Sequence, residues 1–339
     1  MKRIAIIGAG AIASSVHIPS LKDIELAEVC AVCDLNTDRA KAGAAQFKSA
    51  KWYENYHTML EQEKPDGVFV LVQPDQSYRI ALDAMRAGAD VFCEKPAGIT
   101  MFQLESLARA QKENNVLLQI GFNRRYIPLV KKVREVFSSL SPLNQVNGCF
   151  FKNGDASFYD GCASALECDV IHVADLLCSF AQCDVSDATA FGGRSMSPVD
   201  NIWNSVFQFQ NGMLGTIQSN YQTGGRTHAF ELHCPDASAY IDLGFGSASC
   251  EADILFFGGQ KSHSLASTGI QAEHFEHLDG REIAQSDEYY RFYGYYDEDL
   301  AFIKSMETRI PSEATIEDTI RAMKLIDMIR QSCDSRHGN

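Results

Sequence analysis

The sequence contains no apolar run long enough to cross a membrane, and it is poor in positive charge. Its unbroken apolar runs fall far short of the ~20 residues that a transmembrane helix requires. Lys and Arg number 30 against 44 Asp and Glu, which gives a formal net charge of −14. Because an acidic surface repels nucleic-acid phosphates and anionic lipids, neither is expected as a partner. We expect a soluble, cytoplasmic protein.

The cysteines lack the spacing of a disulfide framework or of a metal site. There are 11 of them, and Cys30 and Cys33 form the only pair at C-x-x-C spacing. That pair falls within a predicted strand, whereas a thioredoxin-like pair would open a helix and a zinc site would need a second pair. The pattern therefore indicates buried structural thiols and no metal ion.

Repeats, low-complexity tracts and charged tails are absent as well. Hydrophobic residues make up 45% of the chain, which is typical of a globular protein with a sizeable core. A length of 339 residues is long for a single core, so two domains are expected.

The beginning of the chain has the pattern of a strand, a glycine turn and a helix. Residues 3–7 form a short apolar run, and Gly8-x-Gly10-x-x-Ala13 follows at once. In this pattern the first glycine permits a tight turn, the second lets the backbone approach a pyrophosphate, and the small third residue lets helix and strand pack closely. The phosphates would bind the N–H groups at the helix N-terminus.

A second strand, residues 28–33, ends at Asp34. A carboxylate there accepts hydrogen bonds from ribose hydroxyls and repels a 2′-phosphate, so the cofactor is expected to be NAD, with NADP less favoured. An ordinary tight turn and a secretory signal are the alternatives. Gly8 and Gly10 interrupt the apolar core that a signal needs, and cleavage would destroy the βαβ pattern.

Strands and helices continue to alternate up to residue 123, which predicts a doubly wound parallel sheet of the Rossmann type over residues 1–123. The carboxyl ends of such strands meet at one edge, where ligands bind. The following residues lie in the glycine turn or at the strand ends and are predicted to bind the cofactor: Gly8, Gly10, Ala11, Ile12, Asp34, Leu71, Gln73, Pro74, Glu94 and Asn123.

The pattern changes in the second half of the chain. Asn211-Gly212 lies between two strand-like segments, 202–209 and 213–220, which is a strong hairpin signal. Residues 124–314 are therefore predicted to form an α+β domain with a mainly antiparallel open sheet.

Two side chains are candidates for proton transfer. Lys95 follows an apolar strand and would face the cofactor cleft, where it can exchange a proton with a substrate oxygen. His172 has Cys168, Asp169 and Asp175 three or four positions away on a predicted helix, and a carboxylate beside an imidazole raises its basicity. A solvated lysine on a loop is the alternative for Lys95, and a surface histidine that pairs with a neighbouring side chain, or a metal ligand in the same cluster, is the alternative for His172.

Four motifs in this order resemble those of the Gfo/Idh/MocA family of glucose-fructose oxidoreductase and inositol dehydrogenase. They are the glycine turn, Glu94-Lys95-Pro96, Gly121-Phe122-Asn123-Arg124-Arg125 and His172-x-x-Asp175, and the third is most like the virulence-factor MviM-type branch. The resemblance implies an NAD(P)-binding Rossmann domain and a second domain that binds a sugar or cyclitol. It also implies that the open sheet forms a homodimer or homotetramer and that a helix at about 315–332 packs back on the first domain.

The resemblance makes Lys95 the catalytic lysine and His172 the catalytic histidine, with Glu94 and Asn123 near the nicotinamide ribose. Cys168 stands where inositol dehydrogenases have an aspartate, and Asp169 is the candidate to replace it. The expected function is that of an NAD(P)-dependent oxidoreductase that transfers a hydride between the nicotinamide and a CH–OH group of a sugar-like substrate. A dinucleotide-sensing regulatory protein and an NAD-assisted glycosidase are the alternatives.

Overall fold

The chain folds into two units in this computed structural model, which describes residues 1–158, 163–244, 249–257, 264–265, 270–271 and 274–337. The first unit joins Met1–Tyr126 with Glu288–Ile320, and the second joins Ile127–Asp287 with the chain from Arg321 onward. None of the helices in the described part of the chain is long and apolar enough to cross a membrane.

The strands and helices of the described residues are as follows. The strands are β1 Lys2–Ile7, β2 Ala27–Cys33, β3 Lys51–Tyr53, β4 Gly67–Val70, β5 Asp90–Glu94, β6 Leu118–Gly121, β7 Gln145–Asn153, β8 Ser157–Phe158, β9 Ala163–Ser164, β10 Val185–Gly193, β11 Ile202–Phe209, β12 Leu214–Asn220, β13 Gln222–His233, β14 Ala237–Leu243, β15 Cys250–Phe256, β16 Ser264–Leu265, β17 Ile270–Gln271 and β18 His274–Asp279. The α-helices are α1 Ile18–Asp23, α2 Thr37–Ala44, α3 Tyr56–Glu63, α4 Pro74–Arg86, α5 Met101–Asn114, α6 Pro128–Ser138, α7 Ile171–Ala181, α8 Gly280–Ala284, α9 Tyr289–Phe292, α10 Tyr295–Thr308 and α11 Ile316–His337.

Six parallel strands form the sheet of the first unit, in the order β3-β2-β1-β4-β5-β6. Strands β4 and β5 are buried along their whole length, as expected of strands with helices on both faces. The order reverses beside β1, which is where doubly wound sheets bind their ligands. The predicted Rossmann fold is therefore confirmed.

The second unit has an eight-stranded sheet in the order β10-β11-β12-β7-β13-β14-β15-β18. All neighbouring pairs are antiparallel except β12 and β7. The predicted hairpin is present as β11 and β12, and its Gly212 has a φ of 88°, a conformation that glycine adopts without strain. Side chains of β11 alternate between buried and exposed, so one face of this sheet is covered and the other is open. The predicted α+β class is confirmed.

The division of the chain differs from the predicted boundaries of 1–123 and 124–314. Residues 288–320 group with the first unit, because Phe302, Ile303 and Met306 of α10 pack into the core that contains Phe69 and Phe92. The helix expected at about 315–332 is present as α11, and its first residues, up to Ile320, group with the first unit.

Most of α11 groups with the second unit instead. Arg321 pairs with Asp184 at 2.9 Å, and the Ser332 hydroxyl accepts a hydrogen bond from the Ala190 N–H at 2.9 Å. These contacts lie within the second unit, and they hold the helix there from Arg321 onward.

Candidate active site

The two glycines of the first turn have different surroundings. Gly8 has a φ of 97°, and a Cβ on it would lie 2.4 Å from the carbonyl oxygen of Leu71. Around a Cβ built on Gly10, in contrast, no atom of the described chain other than those of Gly10 and its two sequence neighbours lies within 4 Å. The fold itself therefore requires glycine at position 8 but not at position 10. The open space at Gly10 fits a pyrophosphate that approaches the backbone closely.

Asp34 is held beside this turn by two backbone N–H groups. Its Oδ2 accepts a hydrogen bond from Ala9 at 2.8 Å, and its Oδ1 accepts one from Asn36 at 2.8 Å. A carboxylate has about four lone-pair sites, so it can still accept hydrogen bonds from ribose hydroxyls. Gly8 donates to the Cys33 carbonyl at 2.8 Å, which fixes the turn against the end of β2.

The other predicted cofactor residues of this edge follow β1 and β4. Ala11 and Ile12 begin the helical segment after the glycines. Leu71 is buried and donates its N–H to Ile7 at 2.8 Å, while Gln73 precedes α4 and Pro74 is its first residue. Proline at the first helical position needs no N–H partner, which suits this place in the chain.

Cys30 and Cys33 are both buried within β2. Burial, and next the charge of Asp34, raise the pKa of the Cys33 thiol to about 12. A thiol that stays protonated is a poor nucleophile, so the C-x-x-C pair has a structural role.

Lys95 follows directly after β5, and Glu94 is the last residue of that strand. The Oε2 atom of Glu94 accepts a hydrogen bond from the backbone N–H of Lys95 at 3.1 Å. Lys95 is half-buried, and the Lys95-Pro96 peptide bond is cis. Glu94 therefore contacts the backbone from which the lysine side chain extends.

Asn123 follows β6, and its amide is bound within the first unit. Its Nδ2 donates to the Tyr293 carbonyl at 2.9 Å, and its Oδ1 accepts from Arg124 at 2.5 Å. The guanidinium of Arg124 lies over the ring of Tyr293, 5.5 Å from the centroid. A contact from Asn123 to a ribose would use the second lone pair of its carbonyl oxygen.

His17 is not among the functional residues predicted from the sequence. It lies in a π-helical turn, Ala13–His17, and is completely buried between the carboxylates of Glu94 and Asp299. The sequence contains one signal for the burial of His17: it lies four residues after Ala13, so both residues are on the same, inner face of the helix. Asp299 lies 282 positions away in the chain, so no spacing rule relates it to His17.

His172 and Asp169 belong to the second unit. A π-helical turn, Leu166–Val170, precedes α7, and His172 in that helix is 3% exposed. The Oδ2 atom of Asp169 forms an ion pair with Lys152 and accepts a hydrogen bond from the Tyr221 hydroxyl at 3.0 Å. Burial, and next the charge of Asp169, raise the pKa of Tyr221 well above its ordinary value.

Residues 2–122 match the sequence model of the Gfo/Idh/MocA family, which is described as an oxidoreductase family with an NAD-binding Rossmann fold. The myo-inositol 2-dehydrogenase of Thermotoga maritima is 30% identical over 133 residues, which are 39% of this chain and 40% of that protein. The D-glucoside 3-dehydrogenase of Escherichia coli is 32% identical over 133 residues, which are 39% of this chain and 38% of that protein. The chain thus spans about two fifths of the length of these curated relatives.

Structural similarity extends over both units. A dehydrogenase from Chromobacterium violaceum superposes with a TM-score of 0.88 at 20% identity, over 100% of this chain and 97% of that chain. At this level of identity the similarity establishes the fold of both units.

Proposed function

We propose, because residues 2–122 match the Gfo/Idh/MocA oxidoreductase family, that the protein moves a hydride between a nicotinamide dinucleotide and a secondary alcohol or ketone of a sugar-like or cyclitol-like substrate. The observation that supports this most is the edge of the first sheet. There the open backbone at Gly10, the anchored Asp34 and the strand-end Lys95 follow β1, β2 and β5 of one parallel sheet. Cofactor and reacting group are therefore expected at one edge.

We propose NAD rather than NADP as the cofactor. Asp34 already accepts two backbone hydrogen bonds, which hold its carboxylate beside the glycine turn. An anchored carboxylate can accept from a ribose hydroxyl, whereas a 2′-phosphate would meet like charge. The cofactor-binding residues proposed are those of the turn and strand ends named above.

We propose that Lys95 and His172 are the catalytic residues and that Asp169 takes the role of the family carboxylate, whose position in the motif Cys168 occupies. When nicotinamide is bound, it supplies the hydride acceptor for alcohol oxidation. Lys95 then takes the proton of the substrate hydroxyl while the hydride leaves the carbon that carries this hydroxyl, so that a neutral ketone results. The assignment of His172 and Asp169 rests on the resemblance of their sequence motif.

The same resemblance supports a homodimer or homotetramer formed through the second unit. One face of its sheet is open, with Asn204, Val206 and Gln208 of β11 exposed there. A second copy of this chain is the proposed occupant of that face. The oligomeric state in solution tests this part of the proposal.

A dinucleotide-sensing protein without turnover is the second candidate function. Cys168 is buried where inositol dehydrogenases have a carboxylate, and it cannot act as a carboxylate base. Such a protein would bind NAD and oxidise no substrate.

One experiment separates the two candidates. The protein is mixed with NAD or NADP and a panel of polyols and sugars, and NADH absorbance is followed. We expect turnover with NAD, and we expect Lys95→Ala to lower kcat about 100-fold or more while the Kd for NAD is retained. Lys48→Ala, which removes an exposed lysine of the same unit, is the matched control. Turnover unaffected by Lys95→Ala would refute the assignment, and NAD binding without turnover on any substrate would favour the sensor.

A further inference from the structure

A chain of hydrogen bonds inside the first unit runs from Asp299 through His17 and Glu94 to the backbone of Lys95. Asp299 Oδ1 lies 2.9 Å from His17 Nδ1, and Glu94 Oε1 lies 3.1 Å from His17 Nε2. The second oxygen of Glu94 accepts from the Lys95 N–H at 3.1 Å. The proposed hydride transfer uses neither His17 nor Asp299, although both are completely buried.

The walls around this chain are apolar and tightly packed. The rings of Phe92, Tyr295 and Phe69 stand edge-on to His17 at centroid distances of 5.3, 5.6 and 6.1 Å. On the other side, a Cβ at Gly121 would lie 3.1 Å from Glu94 Oε1, so there is no spare room beside the carboxylate. Hydrogen bonds in such a dry environment are stronger than in water and hold their geometry.

The protonation state of His17 follows from its two partners. A neutral imidazole has one N–H donor, whereas an imidazolium donates from both ring nitrogens and can satisfy both carboxylates. Burial alone lowers the pKa of His17, but the charges and hydrogen bonds of Asp299 and Glu94 outweigh it and raise the pKa to about 10. His17 is therefore a cation at neutral pH.

Among the described residues, Glu298, Tyr295 and Arg124 also face this cluster from neighbouring elements. Burial, and next the charges of Glu94 and Asp299, raise the pKa of Glu298 well above its ordinary value. Burial likewise raises the pKa of Tyr295 well above its ordinary value, and the charge of Arg124 favours the ionised forms of both groups. Burial raises the pKa of Asp299, whereas the charge of His17 lowers it. His17 thus has two carboxyl groups, those of Asp299 and Glu94, as its hydrogen-bond partners.

We propose that His17, held by Asp299, is a positioning residue for catalysis: it fixes Glu94 so that Glu94 in turn fixes the backbone of Lys95. This inference rests on the proposed function, since it assigns a role relative to the proton transfer by Lys95. Without His17, the Glu94 carboxylate would lose the partner that holds Oε1 and would be free to turn away from the Lys95 N–H. A displacement of about 1 Å at a reacting group can cost about 100-fold in rate.

Two substitutions of His17 and one of its partner test this role. His17→Gln keeps one N–H donor and removes the charge, His17→Phe keeps a ring without any donor, and Asp299→Asn keeps the shape of the partner. We expect kcat to fall at least about tenfold in His17→Gln and further in His17→Phe, while KM and the Kd for NAD change less than about threefold.

The pH profile provides a readout that a packing role would not move. Because the pKa of His17 is raised to about 10, kcat of the unsubstituted protein is expected to fall as the pH rises through that value and His17 loses its proton. His17→Gln has no such proton to lose, so its kcat profile should lack this fall. Asp90→Asn is the matched control, because Asp90 lies at the opposite end of the same strand and pairs with Arg309 at 2.6 Å. That variant is expected to lose stability and to keep the pH profile.

Two NMR measurements test the inference without any turnover. In the unsubstituted protein at about pH 8, both ring nitrogens of His17 should give the shifts of an imidazolium. The backbone amide signal of Lys95 should move in His17→Gln and Asp299→Asn, and it should stay in place in Asp90→Asn. If the protein has no turnover, the proposed function fails, and the amide signal still decides whether His17 positions Lys95.

A neutral His17 tautomer, or a Lys95 amide signal that His17→Gln leaves unmoved, would overturn the inference. The inference would also be overturned if kcat of His17→Gln fell only in proportion to the unfolded fraction of this variant and if its pH profile were the same as that of Asp90→Asn.

Discussion

At the scale of the residue, the two glycines of the first turn illustrate two different reasons for one residue type. Gly8 is required by its own backbone, which has a positive φ and passes close to the Leu71 carbonyl. Gly10 has open space where a side chain would be, so packing within the described chain does not explain it. The remaining physical reason for glycine at position 10 is the approach of a ligand.

Substitutions of these glycines should change different properties of the protein. Gly8→Ala should destabilise the first unit by about 2 kcal/mol or more, because the strained φ alone costs ~1–3 kcal/mol and a Cβ would overlap the Leu71 carbonyl. Gly10→Ala should change stability by less than about 0.5 kcal/mol and weaken NAD binding about tenfold or more. Urea denaturation and NAD titration measure the two effects. Equal losses of stability in both variants would contradict this explanation.

The sequence was sufficient to predict the residues of the site that lie in local patterns. Gly8, Gly10 and Asp34 are recognisable because strand, turn, helix and acid follow one another within a short segment. His17 was missed because its partner Asp299 comes from a distant part of the chain, and only the folded unit brings them together. A single buried histidine in an apolar segment carries no sign of its role.

At the scale of the element, a π-helical turn accompanies each of the two histidines discussed above. His17 is the last residue of the first π turn. His172 is the second residue of α7, the helix that follows the second π turn. A π turn inserts an extra residue and is frequent at functional sites. The sequence predicted a helix around His172, and hydrophobic periodicity does not reveal a single wide turn within it.

A small polar contact joins α1 to α9 within the first unit. Asp23 at the end of α1 accepts hydrogen bonds from Tyr290 at 2.6 Å and from Arg291 at 2.5 Å. The Tyr290 hydroxyl, more than the competing effect of burial, lowers the pKa of Asp23, and Arg291 adds to this. Arg291 also lies over the ring of Tyr296, 4.3 Å from its centroid.

Asp23→Asn should therefore lower stability in a pH-dependent way. A carboxyl with a lowered pKa in the folded state stabilises above its unfolded pKa, and this contribution is lost as pH falls through the folded value. The side chain is 36% exposed, so solvent screening limits the loss at neutral pH to about 0.5 kcal/mol. The difference from the unsubstituted protein should vanish as pH falls below the ordinary Asp value of 3.8.

Urea denaturation at several pH values measures this difference. Glu25→Gln, which neutralises an exposed carboxyl two residues further on, is the control. A constant difference between Asp23→Asn and the unsubstituted protein across the whole pH range would show that the ion pair does not contribute.

At the scale of the whole molecule, the first unit is discontinuous in sequence. An apolar face indicates that a helix is buried on that side but not which core it joins, and Phe302, Ile303 and Met306 are buried residues of α10. In the structure, Phe302 packs edge-on against Phe69 at 5.3 Å between centroids, and Ile303 and Met306 join the same core. The sequence therefore predicted the elements and the class of both units better than it predicted the boundary between them.

The discontinuity predicts how fragments of the chain will behave. A fragment that ends at Tyr126 lacks Phe302 and Asp299, so it exposes Phe69 and leaves His17 without one of its two carboxylates. Truncating one buried Phe already costs ~3–5 kcal/mol, which is a large part of the stability of a typical domain. This fragment should not fold cooperatively. Joining residues 288–320 to it through a flexible Gly/Ser linker should restore a cooperative thermal transition and NAD binding.

Circular dichroism and NAD titration distinguish the two fragments. The linked fragment with Phe302→Ala is the control, and it should melt at a lower temperature than the linked fragment itself, because that substitution leaves a cavity beside Phe69. Cooperative melting and full NAD affinity in the fragment that ends at Tyr126 would show that α10 is dispensable. In that case Asp299 could not be needed to hold His17 in place, and the positioning of Lys95 would depend on Glu94 alone.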